Sequence, residues 1–194
     1  MPYDGTTSDM WQHDNIEIMF DGDHTGGQFD GFSVEAFGED GAKRAWDAQA
    51  QMYVAIAASP TGQLVYNLGA ADPWVSRPPW AEVTGVQTDT SPHYSLIEGA
   101  ITPWDDLDWH GPGESRASLL EAGRIIGLEI SVVDIDEEPG VFQGYHSLWG
   151  QRDLWQQADN FVDAILLCAT CDLPAEPTAV ASNSWARIKA SLQP

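Results

Sequence analysis

Positive charge is scarce in this chain: eight Lys and Arg stand against thirty Asp and Glu, a formal charge of −22 over 194 residues. So few cations cannot neutralise a phosphate backbone or hold an anionic lipid surface, which argues against nucleic acid and membrane as partners. No run is long and apolar enough to span a bilayer. The start, Met1-Pro2-Tyr3-Asp4-Gly5, lacks the charged and apolar regions of a signal peptide. Cysteine is nearly absent, with one pair in Cys168-Ala169-Thr170-Cys171. Structural zinc needs a second pair or a nearby His, and a thioredoxin-like role needs a βαβ context. A local disulfide or two inert thiols remain. There is no Gly-rich phosphate loop and no Ser/His/Asp motif, and His13, His24, His93, His110 and His146 are scattered.

What the chain has is acid and tryptophan. The acid suits a soluble protein in saline fluid and invites divalent cations; the competing reading is that it only keeps a Trp-rich surface in solution. The nine Trp exceed what one core needs. Some are expected to plug the ends of a sandwich and others to form a binding platform, since an exposed indole is costly without a use. The length suits one domain, expected over 1–171, followed by a Pro/Ala-rich linker and a docking tail over 172–194.

Short alternating runs separated by Gly, Pro, Asp and Asn predict strands at 15–20, 51–58, 63–66, 94–101, 125–133 and 162–168. Ser59-Pro60-Thr61-Gly62 reads as the turn of a hairpin. One helix is predicted at 114–122, stopped by Gly123, and 22–50 and 67–91 read as long loops. Many short strands with one minor helix predict an all-β, antiparallel β-sandwich of immunoglobulin-like or jelly-roll type.

The most informative stretch is Trp11-Gln12-His13-Asp14-Asn15-Ile16-Glu17-Ile18-Met19-Phe20. Its alternation puts Ile16, Ile18 and Phe20 on one face, expected to point into the core, and leaves Glu17 outward near Trp11. An indole beside a carboxylate suits a sugar ring, with C–H groups on the aromatic and hydroxyls on the acid.

This stretch resembles the Trp-x-x-Asp-x-Val-Glu-Ile-Phe segment of the family 9 carbohydrate-binding modules. Tyr94 to Trp104, Ile126 to Asp136, Ser147-Leu148-Trp149, Asp153-Leu154-Trp155 and Asn160 to Leu167 resemble later segments of that family in the same order. The resemblance implies a non-catalytic module that holds a sugar between two Trp residues. Trp11 and Trp155 (with Trp149 as rival) stand in the Trp positions, and Glu17 in that of the hydroxyl-bonding glutamate. The family's sugar-contacting arginine would fall on 51–58, which has none, so Gln51 and Tyr53 take its place. The asparagine before the second Trp is Arg152 here, which suits hydroxyls or an acidic sugar's carboxylate.

The resemblance also implies a secreted module, extracellular or periplasmic, that serves polysaccharide breakdown beside or within a glycoside hydrolase, and a structural calcium. Family members usually carry two or three strands before the first Trp segment, so the chain is expected to be N-terminally short. Asp21-Gly22-Asp23 opens like a calcium loop, but position twelve is Phe32, so it is no EF-hand. Asp134 and Asp136 form a second acidic cluster; solvated turns are the competing reading for both. Two other classes remain open. One is a structural or adhesion sandwich without a sugar site. The other is a haem-binding, DOMON-like relative with His and Met19 or Met52 as axial ligands, though no flanking pattern marks such a pair. A glycosidase needs two converging carboxylates, and this acid-rich chain singles out no pair.

Overall fold

The computed structural model describes Tyr3, Gly5 and residues 7–88 (backbone alone at 7–9), 90–91, 94–151 and 153–168. These form an antiparallel β-sandwich. Its main sheet runs β10 (Val162–Ile165), β8 (Ile125–Asp134), β1 (Asn15–Asp21), β2 (Gln51–Ala55) and β3 (Val65–Asn67). β9 (Gly144–Ser147) pairs with Ser131 to Asp134, while β10 pairs with Ile125 to Leu128, so both flank one edge of β8 in succession. Over one face lie two ribbons, β4 (Ala81–Gln87) with β5 (Ser95–Ile101), and β6 (Trp104–Asp106) with β7 (Arg116–Ala117).

The register fixes which side chains share a face. Glu17 sits opposite Val54 on β2 and Ser131 on β8, and Met19 opposite Met52 and Glu129. Ile18 sits opposite Tyr53 and Ile130, and Phe20 opposite Gln51 and Leu128, on the other face. The predicted alternation of β1 is present, but its sidedness is reversed. Asn15, Glu17, Met19 and Asp21 are the buried set, and Ile16, Ile18 and Phe20 are half-buried. The cause is what covers each face. Met19 packs with Met10, Phe29, Met52, Val54 and Leu154 in the larger core, where each buried side chain is worth about 1.5–3 kcal/mol. The isoleucine face looks onto the β4–β5 hairpin, which leaves an apolar crevice of about 260 Å³ lined by Ile16, Ile18, Val83, Ile97 and Ile130.

A second core joins Tyr53 and Val65 of the sheet to Val75, Ala81, Trp104 and Leu107. Trp74, Trp80 and Trp104 meet there at ring distances of 5.1–6.1 Å. These indoles fill the second core, Trp104 buried and Trp74 and Trp80 half-buried against it. The hairpin crosses so close to the end of β2 that a Cβ on Gly85 would collide with the Ala57 backbone.

The turn at Ser59–Gly62 forms as predicted, with the Gly62 N–H donating to the Ser59 carbonyl at 3.2 Å and Gly62 at φ 79°. The helix predicted at 114–122 does not form. Ala117 pairs with Trp104, Arg116 with Asp106, and the Ser118 N–H donates to the Pro103 carbonyl, which draws the segment into a ribbon. Helices lie instead in the stretches read as loops: α1 (Val34–Phe37), α2 (Glu39–Ala45) and α3 (Asp72–Val75). α2 begins with Glu39 and Asp40 and ends with Lys43 and Arg44, complementing its dipole. The tail expected over 172–194 lies outside the described residues.

Candidate functional site

On the face of the main sheet away from the ribbons lies an open cavity of about 730 Å³, within the range of small-molecule sites. Trp11, Phe142 and Tyr145 line one stretch of it, and Trp46, Asp153 and Trp155 another; Glu17, Met52, Leu68 and Leu154 also contribute.

Local structure aims each of these side chains. A 3-10 turn, Thr7–Gln12, carries Trp11 and is anchored by Met10, which is fully buried in the core. The Gly140 N–H donates to the Gln12 carbonyl, and the Ile135 N–H to Asp14 Oδ1 at 2.8 Å, which ties the loop after β8 to this turn. That tether brings Phe142 against Trp11, centroids 6.4 Å apart and planes inclined by 22°. Trp46 caps α2, its N–H donating to the Ala42 carbonyl. Trp155 follows Leu154, whose buried side chain pins the turn at Asp153, and the Phe29 N–H donates to the Gln156 carbonyl at 2.9 Å. In both places a buried apolar residue adjoins the indole it positions, Met10 beside half-buried Trp11 and Leu154 beside exposed Trp155.

Glu17 is the polar centre. Only 4% exposed, it accepts a hydrogen bond from the Tyr145 hydroxyl at 2.7 Å. Burial pushes its carboxyl up to about 7, against the opposing pull of that bond. Burial also raises the Tyr145 phenol, as does the neighbouring Glu17 charge, and it raises Asp30. Behind Tyr145, Glu129 is fully buried; one of its oxygens accepts from the Ile130 and Leu148 N–H groups and the other has no partner.

Of the sequence-predicted sugar residues, the structure brings Trp11, Glu17 and Trp155 to one cavity. Trp149, the rival to Trp155, is 62% exposed and lies off the cavity lining. Gln51 and Tyr53 are corrected. Both sit on the opposite face of β2 and are fully buried. The Gln51 amide donates to the Trp104 carbonyl and accepts from the Trp104 N–H, docking β6 as a strand neighbour would. Tyr53 packs edge-on to Phe20. Arg152 lies outside the described residues.

The acidic residues expected to hold calcium lie apart. Asp21 and Asp23 stand at one end of β1, while Asp134 and Asp136 belong to the opposite end, where Asn15 pairs with Val133. Asp21 accepts from the Thr25 and Gly26 N–H groups, and Asp23 from the Thr25 hydroxyl, so the loop closes on itself. Among the described residues no three His, Cys, Asp or Glu side chains converge. Met19 and Met52 are core residues, and no His stands among the described residues of the cavity lining, so the haem reading gains no axial pair from them.

Sequence reasoning missed Phe142, Tyr145, Trp46, Asp30 and Asp153. Tyr145 lies on a four-residue strand, too short to show a period. Its signal is the Val141-Phe142-Gln143-Gly144-Tyr145 run between Pro139-Gly140 and Trp149-Gly150.

A family 9 carbohydrate-binding module from Caldicellulosiruptor kristjanssonii, solved in complex with cellotriose, superposes on this chain with a TM-score of 0.51. The match covers 90% of this chain and 69% of that one, at 13% sequence identity. The chain has the fold of a family 9 carbohydrate-binding module. No family model matches the sequence, and no curated protein is similar to it. The likeness is therefore carried by the path of the backbone through the same sandwich.

Proposed function

We propose that the chain is a non-catalytic carbohydrate-binding module and that the cavity beside β1 holds its sugar. The observation that carries this is the meeting of aromatic rings from four separate segments in one cavity that also holds the buried Glu17 carboxyl. A pyranose lays its C–H face on an indole, Trp11 on one side and Trp155 on the other, while its hydroxyls meet Glu17 and the Gln151 amide. Each such hydrogen bond adds about 0.5–1.5 kcal/mol net, so shape and stacking supply the rest. The sandwich it shares with the cellotriose-bound module supports the reading.

Such a module acts by keeping a tethered or associated enzyme near a polysaccharide, which raises effective concentration without new chemistry. Cys168 is disulfide-bonded, which favours an oxidising compartment outside the cytoplasm. The test is calorimetric titration with mono- and oligosaccharides, cellotriose among them. Saturable binding that disappears in Trp11→Ala and in Trp155→Ala, with unchanged circular dichroism and melting, supports the module. No binding to any sugar by folded protein leaves a structural sandwich.

A further inference from the structure

The cavity wall is unbalanced in charge and in hydrogen-bonding sense. Glu17, Asp30 and Asp153 line it, and no Lys or Arg stands among its described lining residues. A sugar hydroxyl both donates and accepts, so a site for a neutral ring is best built from donors and acceptors together. Here donors are few. The Tyr145 hydroxyl is already given to Glu17 Oε2, leaving the Gln151 amide and the indole N–H groups. The described polar groups beside Glu17 are Tyr145 on β9 and Ser131 on β8, with Glu129 near Tyr145; Asp30 and Asp153 line the same cavity elsewhere. None is positive. Burial raises both Glu17 and Asp30, so two desolvated carboxyls stand in a wall whose described residues include no cation. The rings of Trp11, Phe142, Tyr145, Trp46 and Trp155 present faces that attract a cation through their quadrupoles. At longer range, the formal charge of −22 concentrates cations around the whole molecule.

We propose that the cavity selects a sugar that carries an ammonium group, a 2-amino-2-deoxyhexose unit of an oligosaccharide, with its ring on an indole and its ammonium at Glu17. This rests on the sugar-binding reading of the same cavity. An ammonium has three donors and no acceptor, which matches a wall rich in acceptors. An acidic sugar is repelled by the carboxylates among the described lining residues. Because the ammonium favours the ionised carboxylate, its arrival near neutral pH expels a proton from Glu17.

The full chain is titrated at pH 6.5 with three matched β-1,4 trisaccharides: glucosamine, N-acetylglucosamine and glucose (cellotriose). Glucosamine should bind at least tenfold tighter than cellotriose, and acetylation of its amine should remove the preference. Repeating the titration in two buffers of different ionisation heat should reveal proton release on binding glucosamine. Glu17→Gln should abolish that release and most of the preference. Cellotriose binding as tightly as glucosamine overturns the charge selection and leaves the sugar site standing. A glucosamine preference that survives both Glu17→Gln and Trp155→Ala belongs to the general acidic surface and also overturns it. No binding of any trisaccharide by folded protein overturns both readings.

Discussion

Replacing Glu17 by Gln should make the protein more stable at pH 8 and leave its stability at pH 4 unchanged. A free glutamate titrates at 4.5, whereas burial holds folded Glu17 up to about 7. At about 1.4 kcal/mol per pH unit, that separation corresponds to roughly 3 kcal/mol. Between the two values the folded chain keeps a proton that the unfolded chain has lost, so stability falls as pH rises. Below 4.5 both states are protonated and no cost is felt. Above 7 the folded state carries the whole cost of a buried charge. Glutamine cannot ionise, yet its carbonyl still accepts from the Tyr145 hydroxyl. Its amide N–H groups lie at the cavity, where water reaches them.

Urea unfolding of both proteins from pH 4 to pH 8 measures the difference directly. Asp21, Asp30 and Asp47 are also raised by burial. They make both proteins lose stability over the range, and the comparison cancels what they share. Parallel curves, within about 0.5 kcal/mol at every pH, would refute the argument. They would mean that water solvates Glu17 as well in the fold as outside it.

Trp149→Ala should leave sugar binding unchanged while Trp155→Ala weakens it at least tenfold, because only Trp155 lines the cavity; calorimetry on the pair checks this. Gln51→Ala should cost about 3 kcal/mol in urea unfolding, since the buried Trp104 N–H and carbonyl both lose a partner. Its sugar affinity should stay as it was, contrary to the role that the family resemblance implied for Gln51. Gly85→Ala should cost about 1–3 kcal/mol by forcing the β4–β5 hairpin off the Ala57 backbone, seen as a lower melting temperature.

The central strands were legible because alternation survives in β1 and β8, while β2 is an apolar-rich run buried throughout. Which face of β1 is inside was not legible. Both faces of this strand are at least half covered, so a period of two fixes the sets without naming the inner one. Glu17 and Asn15 looked like the wet face because they are polar, yet they are buried. The α2 signal was present, with Glu39-Asp40 at the start and Lys43-Arg44 at the end. Gly38 and Gly41 masked it by making the stretch look like a loop. Half of the cavity was legible, since Trp11, Glu17 and Trp155 are tied to recognisable segments. The other half, Trp46, Phe142 and Tyr145, depends on long-range ties such as Gly140 to Gln12 that no local pattern announces.

The reversal of β1 bears directly on function. Had Glu17 faced solvent, it would titrate like any surface acid and offer a ligand little, since water competes for every hydrogen bond it makes. Placed instead beside Met19 and Met52 at the rim of the larger core, it is a desolvated acceptor with one fixed neighbour, Tyr145. The roughly 3 kcal/mol that this burial costs at high pH is a large fraction of the 5–15 kcal/mol typical of a whole domain. A leucine or valine there would complete the core and remove the deficit. A ligand that brought donors to the carboxyl would restore solvation that burial removes. The stability deficit and the affinity of the cavity are thus two measures of one electrostatic free energy, and a variant that removes the first should weaken the second.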